Sequence, residues 1–250
     1  MRLILDFWHS TIGKKVVMAV TGLIGVGFVV GHMLGNLQVF EGPGRFNAYA
    51  HFLKSLGELL WLARAVLLAA VILHVIAAVQ LSRRRLTARP IGYAGGSQRE
   101  VSTFASRTIR WGGALLFVFI VFHIMHFTTL QIFRDYSETD VYSNVIRGFS
   151  HGWVTLFYVV AMAFLGLHLY HGAWSAMRTI GATRPKANPL RRTIAAGIAA
   201  IVWLGFTSIP LAVYFGVVKP APAATATATP VSGTTAPAVT ASAANPVGGR

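Results

Sequence analysis

The chain has 250 residues, 54% of them apolar and only 12% charged, with a mean hydropathy of +0.59. Soluble domains carry about twice that charge, roughly a quarter of their residues, so a soluble globular fold is excluded and an all-α membrane protein is expected. Twenty-two Lys and Arg against seven Asp and Glu give a net charge of +15. On so apolar a chain that excess marks loops lying at lipid headgroups, and no nucleic-acid partner is expected. There is no cysteine, which removes disulfides, thiolate metal sites, cysteine-held iron–sulfur clusters and thiol catalysis. Nine histidines remain as the candidates for redox or metal chemistry.

A helix needs about 20 apolar residues to cross a hydrocarbon layer about 30 Å thick. Five stretches meet that length: 16–34, 59–81, 111–132, 153–173 and 194–218. Each is a mixture of Leu, Val, Ile, Ala, Phe and Gly without polar alternation, which excludes barrel strands and requires helices that satisfy their own backbone. The expected fold is a five-transmembrane-helix bundle. The first stretch follows Lys14 and Lys15, and no small-residue cleavage site precedes the polar Asn36, so it is expected to stay attached.

Orientation follows the basic residues of the short loops. Arg2, Lys14, Lys15, Arg83, Arg84, Arg85, Arg89, Arg99, Arg107, Arg110, Arg178, Arg184, Lys186, Arg191 and Arg192 fall on one side, 15 of the 22. Glu41, Glu58, Asp135, Glu138 and Asp140 fall on the other. The N-terminus is therefore expected in the cytoplasm and the C-terminus outside, in a multi-pass protein of a bacterial plasma membrane. Residues 219–250 are almost entirely Ala, Thr, Pro, Ser, Val and Gly. Such a segment buries too little apolar surface to order itself, and it is expected to be a disordered external tail on a domain spanning 1–218.

An ionisable side chain inside a span is costly, so intramembrane histidines are functional candidates. His32 lies late in the first span, His74 late in the second, His123 and His126 late in the third, and His168 and His171 late in the fourth. Because successive spans alternate in direction, these histidines sort into two layers. His32 meets His123 or His126 in the outer half, and His74 meets His168 or His171 in the inner half. Opposed neutral imidazoles with no thiolate or carboxylate beside them suit a bis-histidine haem b, and two layers call for two haems between helices one to four. Zinc or non-haem iron would recruit carboxylates, and every Asp and Glu lies outside the apolar stretches. His123 and His168 sit deeper in their spans and are the preferred ligands, with His126 and His171 as the alternates. Glycines 22, 25, 27, 31, 112, 113, 166 and 172 supply small surfaces for close approach.

These residues resemble the di-haem cytochrome b membrane-anchor subunit of bacterial succinate dehydrogenase and quinol:fumarate reductase. The resemblance covers roughly residues 8–218. It rests on His9-Ser-x-x-Gly13-Lys14, Gly31-His32-Met33-Leu34-Gly35-Asn36, Phe46-Asn47-x-x-Ala50-His51-Phe52, His74, Phe122-His123-Ile124-Met125-His126-Phe127 and His168-x-x-x-Gly172-x-Trp174. It implies an outer haem between His32 and His123 and an inner haem between His74 and His168. It further implies an iron–sulfur subunit docked on the positive inner face, a flavoprotein subunit with covalent FAD that oxidises succinate, and electron delivery to a quinone, menaquinone being the expected one. The isolated chain would have no activity of its own. One departure is notable: some fumarate reductases carry a glutamate two residues before the fourth-helix ligand, where this chain has Gly166. A proton path through that carboxylate is not carried over.

A quinone needs an apolar slot with hydrogen-bonding groups at its carbonyls, for which His51 and Glu58 are candidates beside the expected outer haem. Haem propionates need cations, for which Arg110 and Arg178 are candidates, although for each of them contact with lipid headgroups is the favoured reading. Two other readings compete. One is the haem b anchor of a hydrogenase or formate dehydrogenase; the other is a transporter whose histidines line a path.

Overall fold

The computed structural model describes residues 2–87, 104–179, 181 and 188–221, all of them helix or short connections. The helices are α1 (Arg2–His9), α2 (Thr11–Leu37), α3 (Pro43–Ser55), α4 (Glu58–Thr87), α5 (Phe104–Phe127), α6 (Val141–Ser150), α7 (Gly152–Thr179) and α8 (Asn188–Tyr214), with a 3-10 turn at Gln38–Glu41. Five of them, α2, α4, α5, α7 and α8, are long and apolar enough to cross a membrane. Most of the expected tail falls outside the described residues, as do Arg89, Arg99, Arg184 and Lys186 of the positive loops.

Two spans end earlier than the apolar stretches suggest, and the backbone shows why. After Phe127 the amides of Thr128 and Thr129 both turn back to Ile124 O at 2.9 Å, and Leu130 takes a positive φ of 54°. After Tyr214, Gly216 takes φ 71° while the Val217 and Val218 amides return to Ala212 O at 2.8 and 3.0 Å. A glycine in the left-handed region just past the last turn stops a helix at little cost, whatever the hydropathy of the residues beyond it.

The bundle is organised around α7, which packs against α5, α8, α2 and α6, while α4 packs against α2. Along α7 the buried residues are Val154, Thr155, Tyr158, Ala161, Met162, Leu169, Ala173 and Ala176. Three of these are alanines, and small side chains are what let membrane helices approach closely. By contrast α4 buries only Ala70 and Ala77 among its described side chains, leaving Leu62, Leu68, Ile72 and Leu73 facing outward. Such an apolar exterior needs lipid rather than water around it.

The two ends differ. At one end α1 docks on α2 and α4: Arg84 donates to His9 O at 2.8 Å and to Thr11 Oγ1 at 3.1 Å, and Lys14 Nζ donates to Trp8 O. At the other end, the one expected to face outward, α3 and α6 close the bundle. Tyr142, Val145, Ile146 and Phe149 of α6 are buried with Val39, Phe46, Val154, Tyr158 and Val213. Asn144 ties the preceding loop to α6, accepting from Ser137 N at 2.9 Å and donating to Ser137 O at 2.6 Å.

Asp140 caps α6, its carboxylate accepting from Ser143 N at 3.1 Å, and Asn47 of α3 donates to the same oxygen at 3.0 Å. The Ser143 hydrogen bond, more than burial opposes it, holds the Asp140 carboxyl below its ordinary value. A carboxyl with a depressed folded value contributes its full stabilisation above the ordinary carboxylate range and loses it as pH falls through the depressed value. Replacing Asp140 by Ala is expected to cost about 1 kcal/mol. Hydrogen exchange at α6 amides in detergent should rise in the variant at neutral pH, with the difference fading under strongly acidic conditions.

Candidate functional site

The histidines of four helices meet in two places. At the α1 end His74 of α4 faces His168 of α7, with ring centroids 6.1 Å apart and planes inclined by 54°. At the α6 end His32 of α2 faces His123 of α5, with centroids 5.7 Å apart and planes at 81°. Neither α4 with α7 nor α2 with α5 is among the closely packed helix pairs. The imidazoles therefore reach across gaps that the backbones leave.

At the α1 end the protonation of one ring can be worked out. The Thr21 hydroxyl has a single proton and donates it to Val17 O at 2.7 Å, one turn back in α2. Its oxygen lies 3.2 Å from His74 Nδ1, so it accepts from an Nδ1–H there. A neutral imidazole protonated at Nδ1 keeps its Nε2 lone pair free. His168 Nδ1 and His171 Nδ1 are buried and have no hydrogen-bond partner among the described residues. Gly22 leaves room beside the His74 ring: a Cβ there would come within 3.4 Å of its Cε1. Ala105, Thr108, Gly112 and Phe164 line a narrow groove beside His168 that has no room for a water molecule.

At the α6 end Asn36, one turn beyond His32 in α2, donates to His32 O at 2.7 Å, and its amide nitrogen lies 3.3 Å from His32 Nδ1. Phe28 stacks on His32 at 5.2 Å. Gly25, two turns before His32, has open space where a side chain would stand. Across the gap, His123 Nδ1 lies 3.2 Å from the Tyr158 hydroxyl of α7.

His126 stands apart from the His32–His123 pair. It is fully buried, with Nδ1 2.9 Å from Tyr158 Oη and Nε2 2.8 Å from Tyr136 Oη. The rings of Phe127, Phe133, Tyr136 and Phe149 surround it. Both of its nitrogens are occupied. His171 lies against Trp174, centroids 6.3 Å apart, and is not paired with His74.

The remaining expected residues lie elsewhere. His51 on α3 and Glu58 at the start of α4 are exposed. Arg110 is exposed on α5, and Arg178 lies over the Trp174 ring at 5.3 Å, with Arg192 over the same ring at 5.0 Å. His151 stacks on Phe133 at 4.9 Å. Among the described residues no three His, Asp or Glu side chains converge as a direct metal cluster, so the two-imidazole pairs are the donor sets to consider.

Three participants are missing from the sequence reading: Tyr158, Tyr136 and the helix α6 that covers them. The spacing of Tyr142, Val145, Ile146 and Phe149 is the amphipathic signature of α6. Nothing in spacing singles out the tyrosines, because they approach the histidines only through the fold. Burial and the Asp135 carboxylate push the Tyr136 phenol above its ordinary value, against a smaller opposing effect of Arg147, so it remains protonated. Comparison with protein-family models, curated proteins and solved structures finds no match to this chain.

Gly148 of α6 lies against the Tyr136–His126 bond. A Cβ there would come within 2.7 Å of His126 Nε2 and would also strike Tyr136 Oη. Gly148→Ala should therefore push the two rings apart and lower stability by about 1–3 kcal/mol, the usual cost of overpacking. Gly44→Ala, where a Cβ meets nothing, should leave the detergent melting midpoint unchanged or slightly raised. Equal midpoints for the two variants would refute the close fit at Gly148.

Proposed function

We propose that this chain is the membrane-anchor cytochrome b subunit of a succinate:quinone oxidoreductase, holding two b haems with His32 and His123 on one iron and His74 and His168 on the other. The observation that carries the proposal is the pairing of imidazoles from four different helices at two levels of one bundle. With metal–nitrogen bonds of about 2 Å and each ring centre about 1.2 Å further on, two imidazoles on one iron place their centres roughly 6.4 Å apart. The pairs stand at 5.7 and 6.1 Å. Both pairs are free of carboxylates, as an imidazole-held iron asks; at His32 the Asn36 amide nitrogen 3.3 Å from Nδ1 would have to give up that contact for Nε2 to serve as the ligand atom. The partnerless Nδ1 of His168 also fits a ring held by a bond on its other nitrogen.

A haem b with two imidazole ligands supplies one-electron transfer and leaves no open iron position for oxygen. The chain's own part is to hold, orient and insulate. Thr21 fixes His74 as the Nδ1–H tautomer, which leaves Nε2 available as a ligand atom. Apolar spans keep water from the pairs. Phe28 and Phe119 stack on His32 and His123 and limit their rotation. The motifs around His32, His123 and His168 favour the succinate dehydrogenase anchor over other haem b anchors. On that reading an iron–sulfur subunit and a flavoprotein sit on the basic cytoplasmic face, menaquinone takes the electrons, and the bundle lies in a bacterial plasma membrane.

A reduced-minus-oxidised visible spectrum with a haem-to-protein ratio tests the proposal. Two low-spin b haems per chain are expected, and His32→Ala should retain one. A colourless chain purified with its partners would overturn the proposal and favour the transporter reading. Loss of both haems in His32→Ala with the helical content intact would overturn the two-level assignment.

A further inference from the structure

Three hydrogen bonds join four side chains in a row: His123 Nδ1 with Tyr158 Oη at 3.2 Å, Tyr158 Oη with His126 Nδ1 at 2.9 Å, and His126 Nε2 with Tyr136 Oη at 2.8 Å. Each neutral imidazole carries one N–H and each phenol one O–H, so the bonds cannot be oriented independently. If His126 donates from Nε2 to Tyr136, its Nδ1 must accept from Tyr158. The Tyr158 oxygen is then free to accept, and His123 donates from Nδ1. If His126 is instead protonated at Nδ1, it donates to Tyr158, and Tyr158 turns its proton to His123 Nδ1. The remaining arrangement, with Tyr158 accepting from both rings, leaves its proton without an acceptor among the described residues, on a side chain packed against the rings of Phe119, Phe122, Phe127 and Phe149. Tyr158 is only 5% exposed, and a buried donor without an acceptor is penalised.

Of the two fully bonded arrangements, only the first leaves the Nε2 lone pair of His123 unprotonated. We propose that Tyr158, backed by His126 and Tyr136, is a positioning residue that fixes His123 as the Nδ1–H tautomer and so presents its Nε2 to iron. This inference rests on the di-haem reading above. It also gives His126 a role distinct from ligation: turning that ring toward an iron would break its hydrogen bonds to the buried Tyr158 and the half-buried Tyr136. The geometry at Gly148 agrees, because a side chain at that position would occupy the space where Tyr136 and His126 meet.

An acceptor on the far nitrogen of a ligating imidazole makes the ring a stronger electron donor and favours the oxidised iron. Removing the acceptor should therefore raise the potential of the haem that His123 holds. The test is a potentiometric titration of both b signals in the assembled complex, comparing parent, Tyr158→Phe, Tyr136→Phe and Thr21→Val. Tyr158→Phe keeps the ring and its packing, and should shift one b signal upward with the other unchanged. Tyr136→Phe should shift the same signal by less, and Thr21→Val should shift the other signal instead. A purely structural role for Tyr158 would not produce that division.

Two haems with unchanged potentials in Tyr158→Phe would overturn the inference and leave the di-haem reading standing. So would both signals moving together. Should Tyr158→Phe fail to retain haem, an unshifted Tyr136→Phe would overturn it. A parent complex whose chain carries no haem would remove the di-haem reading, and the inference with it.

Discussion

A polar nitrogen inside a hydrocarbon layer must find a partner, because no water is there to supply one. This constraint shapes both ends of the bundle. Six histidines are placed within spans, and each imidazole brings two nitrogens into an apolar environment. The chain partners some of them internally: Thr21 for His74, Tyr158 for His123, and both Tyr158 and Tyr136 for His126. Others stay open. The Nδ1 atoms of His168 and His171 are buried without a partner among the described residues, in a bundle whose other buried groups are largely apolar.

The pattern of helix packing makes the facing pairs possible. Helices in direct contact leave no space between them beyond their side chains, and α7 is in such contact with α5, α8 and α2. The pairs form across the helix combinations that do not pack closely, α2 with α5 and α4 with α7. The helix α4 touches chiefly α2 and turns most of its surface outward. Glycines beside the rings, Gly22 near His74 and Gly113 near His168, keep the gaps from filling with side chains.

The five spans and the two histidine layers were legible because each depends on a single linear signal. Span length follows from hydropathy, and layer membership follows from position along spans that alternate in direction. The helix ends were less legible, since hydropathy runs on through Leu130 and Gly216 while the backbone turns there. Membrane hydropathy likewise hid α6, whose ten residues are too few to cross but whose buried face closes the end of the bundle. The histidine doublet at positions 123 and 126 could not be resolved by spacing, because residues three apart share a helix face. What separates them is contact with distant tyrosines: His123 faces His32, whereas His126 is enclosed by Tyr136, Tyr158 and aromatic rings. Those partners are 10 and 32 residues away in sequence, beyond any local pattern.

The four facing imidazoles are chemically identical, so a difference between the two ends has to come from their surroundings, of which the groups holding their other nitrogens are the nearest. His74 leans on a hydroxyl that is itself anchored to a main-chain carbonyl, and His168 opposite it has no Nδ1 partner among the described residues. His123 leans on a row of phenol and imidazole leading toward the α6 end, and His32 opposite it has only the Asn36 amide nitrogen 3.3 Å from Nδ1, which offers no acceptor for an Nδ1–H. An acceptor at that position strengthens the ligand's electron donation. If both pairs hold iron, Thr21 and Tyr158 therefore tune the two centres separately without any difference in ligand type. An electron crossing the bundle would move between sites whose tuning comes from Thr21 and Tyr158 rather than from the histidines themselves.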